Sequence, residues 1–217
     1  MAPVPLPGWH GKLPALGDFV SRRLDPAYLE LWDRWLSEGM LALREQLGAA
    51  WLEAYLASPS WRFLLMPGVL AGAPGDLAWA GVLMPSVDRV GRYFPFTIVQ
   101  PLDGRLLSPA QMPALWHWLE QIDALAADAL HDDWDIERLE SELARHAGPD
   151  VPAEALPAGK LDPAGCIAQE ADAMWRHEAA GVAYWYAHAQ QSAPRWLRSH
   201  GLPDRAAMTG LFGGAAP

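Results

Sequence analysis

The chain has 217 residues, 51% apolar and 19% charged, with a formal net charge of −10. That length and apolar content exclude general disorder and suit one sizeable core, while the acidity argues against nucleic acid or an anionic membrane surface as partner, since both call for a dense cationic face. A single cysteine, Cys166, rules out an internal disulfide and reads as a small buried side chain.

Met1–Pro7 lacks a cationic region and is interrupted by proline, so it does not read as a secretory signal. No window approaches the roughly 18 uninterrupted apolar residues of a membrane helix. The expectation is a cytoplasmic protein without membrane insertion. From Gly8 to Val20 the chain is turn-rich, with Lys12 and Asp18 flanking Pro14 and Gly17. This block reads either as a surface loop or as a clasp over a sheet edge. It lacks the residue order of a phosphate-binding loop.

Asp25-Pro26 starts a helix as a cap followed by a first-turn proline. Tyr28, Leu31, Trp32, Trp35, Leu36, Met40, Leu43 and Leu47 recur at helical spacing up to Gly48. A short helix over Trp51–Leu56 stops before Ser58-Pro59, and Trp61–Met66 reads as a buried strand. Ala78–Met84 and Phe94–Val99 are strands by their apolar, β-branched and aromatic content. Between them, Pro85–Pro95 carries three charges and a glycine, with prolines that stop the ladder at both ends. Loops of this kind are where a scaffold displays functional groups.

Ser86 and Asp88 invite a hydrolase reading, a serine nucleophile with an orienting carboxylate. The absence of a Gly-x-Ser-x-Gly elbow and the two-residue spacing favour a turn bonded to its own backbone. Arg89 and Arg92 suit two-point binding of a carboxylate or phosphate on a partner. The alternative is internal pairing with Asp88, Asp18 or loop carbonyls, for which Asp18 is the natural anchor. The seven histidines lack metal-ligand spacing, so neither a metal nor a cofactor is expected.

Further along, Pro113–His131 and Trp134–His146 are amphipathic helices. Gly148–Gly165 is a proline-rich surface linker, Ala164–Ala180 a helix and Val182–Tyr186 a strand. The glycine-rich end from Thr209 reads as frayed. Twelve tryptophans imply a bulky aromatic core with some rings left for a partner.

Three segments together, Gly8–Val20, Trp61-Arg62-Phe63 and Pro85–Pro95, resemble the TagF family of type VI secretion-associated proteins. The likeness is strongest over residues 8 to 101. It implies a cytoplasmic, non-enzymatic accessory protein that represses assembly of the secretion machine after translation by binding the system's forkhead-associated scaffold protein. On that reading Lys12, Asp18, Arg62, Ser86, Asp88, Arg89 and Arg92 are partner-binding or loop-organising candidates, and no residue is catalytic. The rival readings are a hydrolase or phosphate-binding enzyme using Ser86–Arg92, and a structural subunit of the apparatus. The expected fold is α/β, a three-layer αβα-type sandwich around a mixed or largely antiparallel sheet, its layering partly implied by the resemblance. A single domain over 1–217 is expected, with flexible tails at 1–7 and 209–217.

Overall fold

Seven strands form one sheet in the computed structural model, which describes residues 6–70, 77–104, 107–146, 148–149, 163–187 and 193–213. In chain order they are β1 (Gly8–Gly11), β2 (Val20–Arg22), β3 (Trp61–Leu65), β4 (Leu77–Met84), β5 (Phe96–Asp103), β6 (Val182–Ala187) and β7 (Arg195–His200). They lie side by side as β2-β1-β5-β4-β3-β6-β7. Every neighbouring pair runs antiparallel, so of the two expected sheet types the largely antiparallel one forms. The helices are α1 (Pro26–Leu47), α2 (Trp51–Leu56), α3 (Met112–His131), α4 (Ile136–Arg145), α5 (Pro163–Ala179) and α6 (Arg205–Phe212).

Period-2 alternation along the strands divides the core into two apolar clusters. Leu64, Ala80, Val82, Phe96 and Ile98 join Trp9 and residues of α3 and α4, including Leu119, Ile122, Leu139 and Leu143. Phe63, Leu65, Trp79, Leu83, Val99 and Trp185 join Tyr28, Trp32, Leu36 and Leu43 of α1, Tyr55 of α2, and Leu211 and Phe212 of α6. The α1 cap forms as its sequence requires: Asp25 Oδ1 accepts from the Ala27 amide at 2.8 Å, and Gly48 ends the helix at φ 52°.

Three expectations are corrected. The chain from Thr209 does not fray as far as Phe212: Thr209–Phe212 is the last turn of α6, because Met208, Leu211 and Phe212 share one buried face. Trp61 Nε1 also donates to the Leu211 carbonyl at 2.9 Å. At the other end Pro7 is held, its carbonyl accepting from Arg23 Nε at 3.0 Å. The strand expected at Phe94–Val99 begins two residues later and runs on to Asp103, through Pro101 opposite Trp79. Proline is accommodated there because β1 pairs with β5 only at Thr97–Val99, which leaves one side of β5 open beyond that point. Most of the expected linker at 148–165 and the side chain of Cys166 lie outside the described residues.

Candidate functional site

The loop between β4 and β5 is built on Asp88, whose side chain is fully buried. Its Oδ1 accepts from the backbone amides of Val90 at 3.1 Å and Arg92 at 2.8 Å, the short-range turn that aspartate favours. Gly91 completes this turn at φ 81°, a conformation glycine adopts without penalty. Oδ2 receives Lys12 Nζ at 2.6 Å and Arg92 Nε at 2.7 Å. Burial alone would raise the Asp88 pKa. The Lys12 and Arg92 side chains and the two amides outweigh it and hold the carboxyl far below its ordinary value.

A second set of bonds joins this loop to the N-terminal block. Arg92 also donates to the Gly17 carbonyl, the Arg89 amide donates to Leu16 O at 3.0 Å, and Ser86 Oγ donates to Lys12 O at 2.7 Å. From below, the Tyr55 hydroxyl donates to Ser86 O at 3.0 Å and accepts from Ser86 N at 2.8 Å. Burial pushes the Tyr55 hydroxyl pKa up, partly opposed by that bond to Ser86, so it stays a neutral two-way bridge. The Ser86 hydroxyl is therefore turned inward onto a carbonyl, and the Asp88 carboxylate is occupied by four donors.

The seven candidates thus separate. Lys12, Ser86, Asp88 and Arg92 form one braced unit, and their loop-organising role is what the geometry displays. Asp18 is not the anchor the sequence suggested: it faces solvent and accepts from the Phe19 amide at 2.8 Å, while Lys12 takes the anchoring place. Arg89 projects outward and has no side-chain partner among the described residues. Arg62 belongs to another contact. It joins β3 to α3 through Asp123 at 2.9 Å and Glu120 at 3.1 Å. As for the N-terminal block, Gly8–Gly11 is the buried strand β1 beside the edge strand β2, and the turn that follows lies against the β4–β5 loop with Gly17, Asp18 and Phe19 exposed, so each of the two readings describes part of the block.

Sequence reasoning missed Tyr55, His10 and Phe19. Tyr55 carried no signal beyond an apolar helix position. His10, on β1, stacks on Phe19 at 6.0 Å and meets Phe94 edge-on at 6.2 Å, while Lys12 Nζ lies 4.7 Å above the Phe19 ring. The exposed tip of the site is Phe19, Arg89 and Val90, with Val90 64% exposed.

His10 Nε2 lies 3.4 Å from Asp33 Oδ1, and its Nδ1 is buried without a partner. Burial lowers its pKa below the ordinary 6.5, against the opposing pull of Asp33. A base with a depressed folded pKa contributes stability above its unfolded value and loses it as pH falls below that value. Thermal melts of the wild type should therefore fall as pH drops below 6.5. They should lose part of that slope in His10→Phe, and an unchanged slope would assign it to other groups.

A sheet-end loop braced from beneath and open at its tip defines a protein with a preformed display surface. The chain belongs to the TagF family, since residues 8–146 match the TagF N-terminal domain, type VI secretion system-associated. It is also similar to PA0076 of Pseudomonas aeruginosa PAO1, known from a crystal structure at 2.05 Å. The two share 35% sequence identity and superpose with a TM-score of 0.77, over 97% of this chain and 96% of that one. None of the curated proteins matches the chain. It is therefore a type VI secretion-associated accessory protein. No described helix is long and apolar enough to cross a membrane.

Proposed function

We propose that the protein is a cytoplasmic, non-enzymatic regulator that binds the forkhead-associated scaffold protein of its secretion system and thereby represses assembly after translation. The observation that carries this reading is the division of labour in the loop: Asp88, Lys12 and Arg92 are consumed in bracing it, while Phe19, Arg89 and Val90 stand outward on that rigid base. Apolar and aromatic side chains beside a free guanidinium are the composition of an interface centre. Preorganisation lowers the ordering cost of binding. The alternation of strand residues between two helix-covered clusters supports a three-layer αβα arrangement, which would present this loop at one end of the sheet.

The test is a binding titration with the purified scaffold protein from the same cell. Arg89→Ala/Val90→Ser alters only exposed groups and should leave stability within about 0.5 kcal/mol of wild type. It should weaken binding at least about tenfold, by the loss of a charge-assisted bond and an apolar contact. Full binding by the folded double variant removes the tip from the interface, and no binding by the wild type removes the scaffold as partner.

A further inference from the structure

His10 is enclosed by aromatic rings, and one of its two nitrogens is left over. Its ring stacks on Phe19 at 6.0 Å with 15° between the planes, and Phe94 meets it edge-on at 6.2 Å. Phe94 is buried and Phe19 is 44% exposed, so Phe19 is the outer cover. Nε2 lies 3.4 Å from Asp33 Oδ1, whose side chain is half exposed at the rim. Nδ1 is buried and has no partner among the described residues. The neutral ring suits this setting with its proton on Nε2, because a lone pair on Nδ1 costs far less to bury than a charge.

A second proton changes that balance. It makes the ring a cation and gives Nδ1 an N–H group with no acceptor in reach. The Lys12 ammonium already lies 4.7 Å above the Phe19 ring, which opposes a second cation on that ring. Lys12 is itself paired with Asp88, whose same oxygen also receives Arg92. Opposite His10, β2 presents the neutral Ser21, and the adjacent Arg22 turns its guanidinium to the Ser21 carbonyl. From β5 comes Thr97, whose hydroxyl accepts from Trp32. Asp18 accepts from the Phe19 amide, and on α1 Glu30, one turn before Asp33, is taken by Arg34. Asp33 is thus the carboxylate that faces the ring, and the imidazolium is drawn outward, towards Asp33 and water.

We propose that His10 and Phe19 form a pH-operated cover on the display surface: when His10 takes a second proton its ring turns out towards Asp33, the Phe19 ring leaves the stack, and the tip presents a different face. The movement can stay local because Phe19 precedes β2, outside the paired strands, and nearly half of its surface already meets water. Burial holds the His10 pKa below its ordinary 6.5 while Asp33 pulls the other way, so the cover is closed at neutral pH and opens below that value. The inference concerns where the Phe19 ring lies and does not rest on the partner proposed for the tip.

The experiment is fluorine NMR of the full chain carrying para-fluorophenylalanine, followed from about pH 8 to about pH 5. Loss of a signal in Phe19→Leu and in Phe94→Leu assigns those two, and the remaining signals belong to the buried Phe63, Phe96 and Phe212. The Phe19 resonance should move to the position of a solvent-exposed ring, with the same midpoint as the His10 ring proton signal that disappears in His10→Gln. The buried resonances should stay in place. In His10→Gln the Phe19 resonance should no longer follow pH. Asp33→Asn removes the carboxylate that favours the charged ring and should shift the midpoint to lower pH. Asp33 is half exposed, so this variant should fold and decides the matter even where His10→Gln does not. A Phe19 resonance that stays in place while His10 titrates overturns the proposal. So does one that moves only together with the buried resonances, one that still follows pH in His10→Gln, or an Asp33→Asn midpoint equal to that of wild type.

Discussion

Lys12→Met is expected to cost about 3 kcal/mol of stability, the usual consequence of removing one partner from a buried ion pair. Methionine fills the space of the lysine stem but leaves the Asp88 carboxylate facing Arg92 alone, across a contact that is half open to water. Burial then presses harder on that carboxylate, and the depression of its pKa shrinks. The sign of the pH dependence follows. Asp88 contributes stability above its ordinary value of 3.8 and loses it as pH falls below that value, so wild-type melts should drop steeply below about pH 4 and those of Lys12→Met less so. Denaturant unfolding near neutral pH and again below about pH 4 checks each part. A variant that unfolds at the wild-type midpoint would show that the pair contributes nothing. Lys12→Met/Asp88→Leu should recover only part of the loss, because the amides of Val90 and Arg92 lose their acceptor along with the charge.

Trp32→Ala should be more damaging still, at about 4 kcal/mol for emptying a fully buried indole site. In a domain of this size that corresponds to a fall in Tm of about 12 °C. Trp32 is the hub of the aromatic cluster, with ring centroids 4.8 Å from Trp35, 5.2 Å from Phe63 and 5.6 Å from Tyr28. Its Nε1 also donates to Thr97 Oγ1 at 2.9 Å, tying α1 to β5. Trp32→Phe retains most of the packing and should lose about 1 kcal/mol, chiefly that bond. Equal losses in the two variants would place the stabilisation in the hydrogen bond instead of the ring.

The elements that could be read from the residues are those whose signals are local. α1 announced itself through Asp25-Pro26 and an apolar face that returns every three or four residues, and β3 and β4 through short apolar runs between breakers. β1 could not be read that way: Gly-Trp-His-Gly is short and half polar, yet wholly buried, because β2 and β5 flank it. β7 was missed for the opposite reason. An edge strand with two arginines and a histidine has little apolar content to betray it. At the site, the turn at Asp88 and its pairing with Arg92 were legible because they span four residues. The choice of Lys12 over Asp18 as anchor was not, since 76 residues separate Lys12 from Asp88 and no periodicity spans that gap.

That separation also bears on how the protein comes into being. β1 can pair at once with β2, which follows it closely, but its other partner β5 begins at Phe96, so that flank of β1 must wait unpaired until β5 has been made. Closing so long a loop is slow relative to forming the local β4–β5 hairpin. The connector in that hairpin therefore exists first as an unbraced tether and acquires its shape only when Lys12 arrives beneath it. A chain shortened at its N-terminus past Leu13 would keep every residue of the connector and lose its scaffold, and would leave the flank of β5 bare to other chains. The shape of the display surface is thus a late product of folding, held by the segment that follows β1.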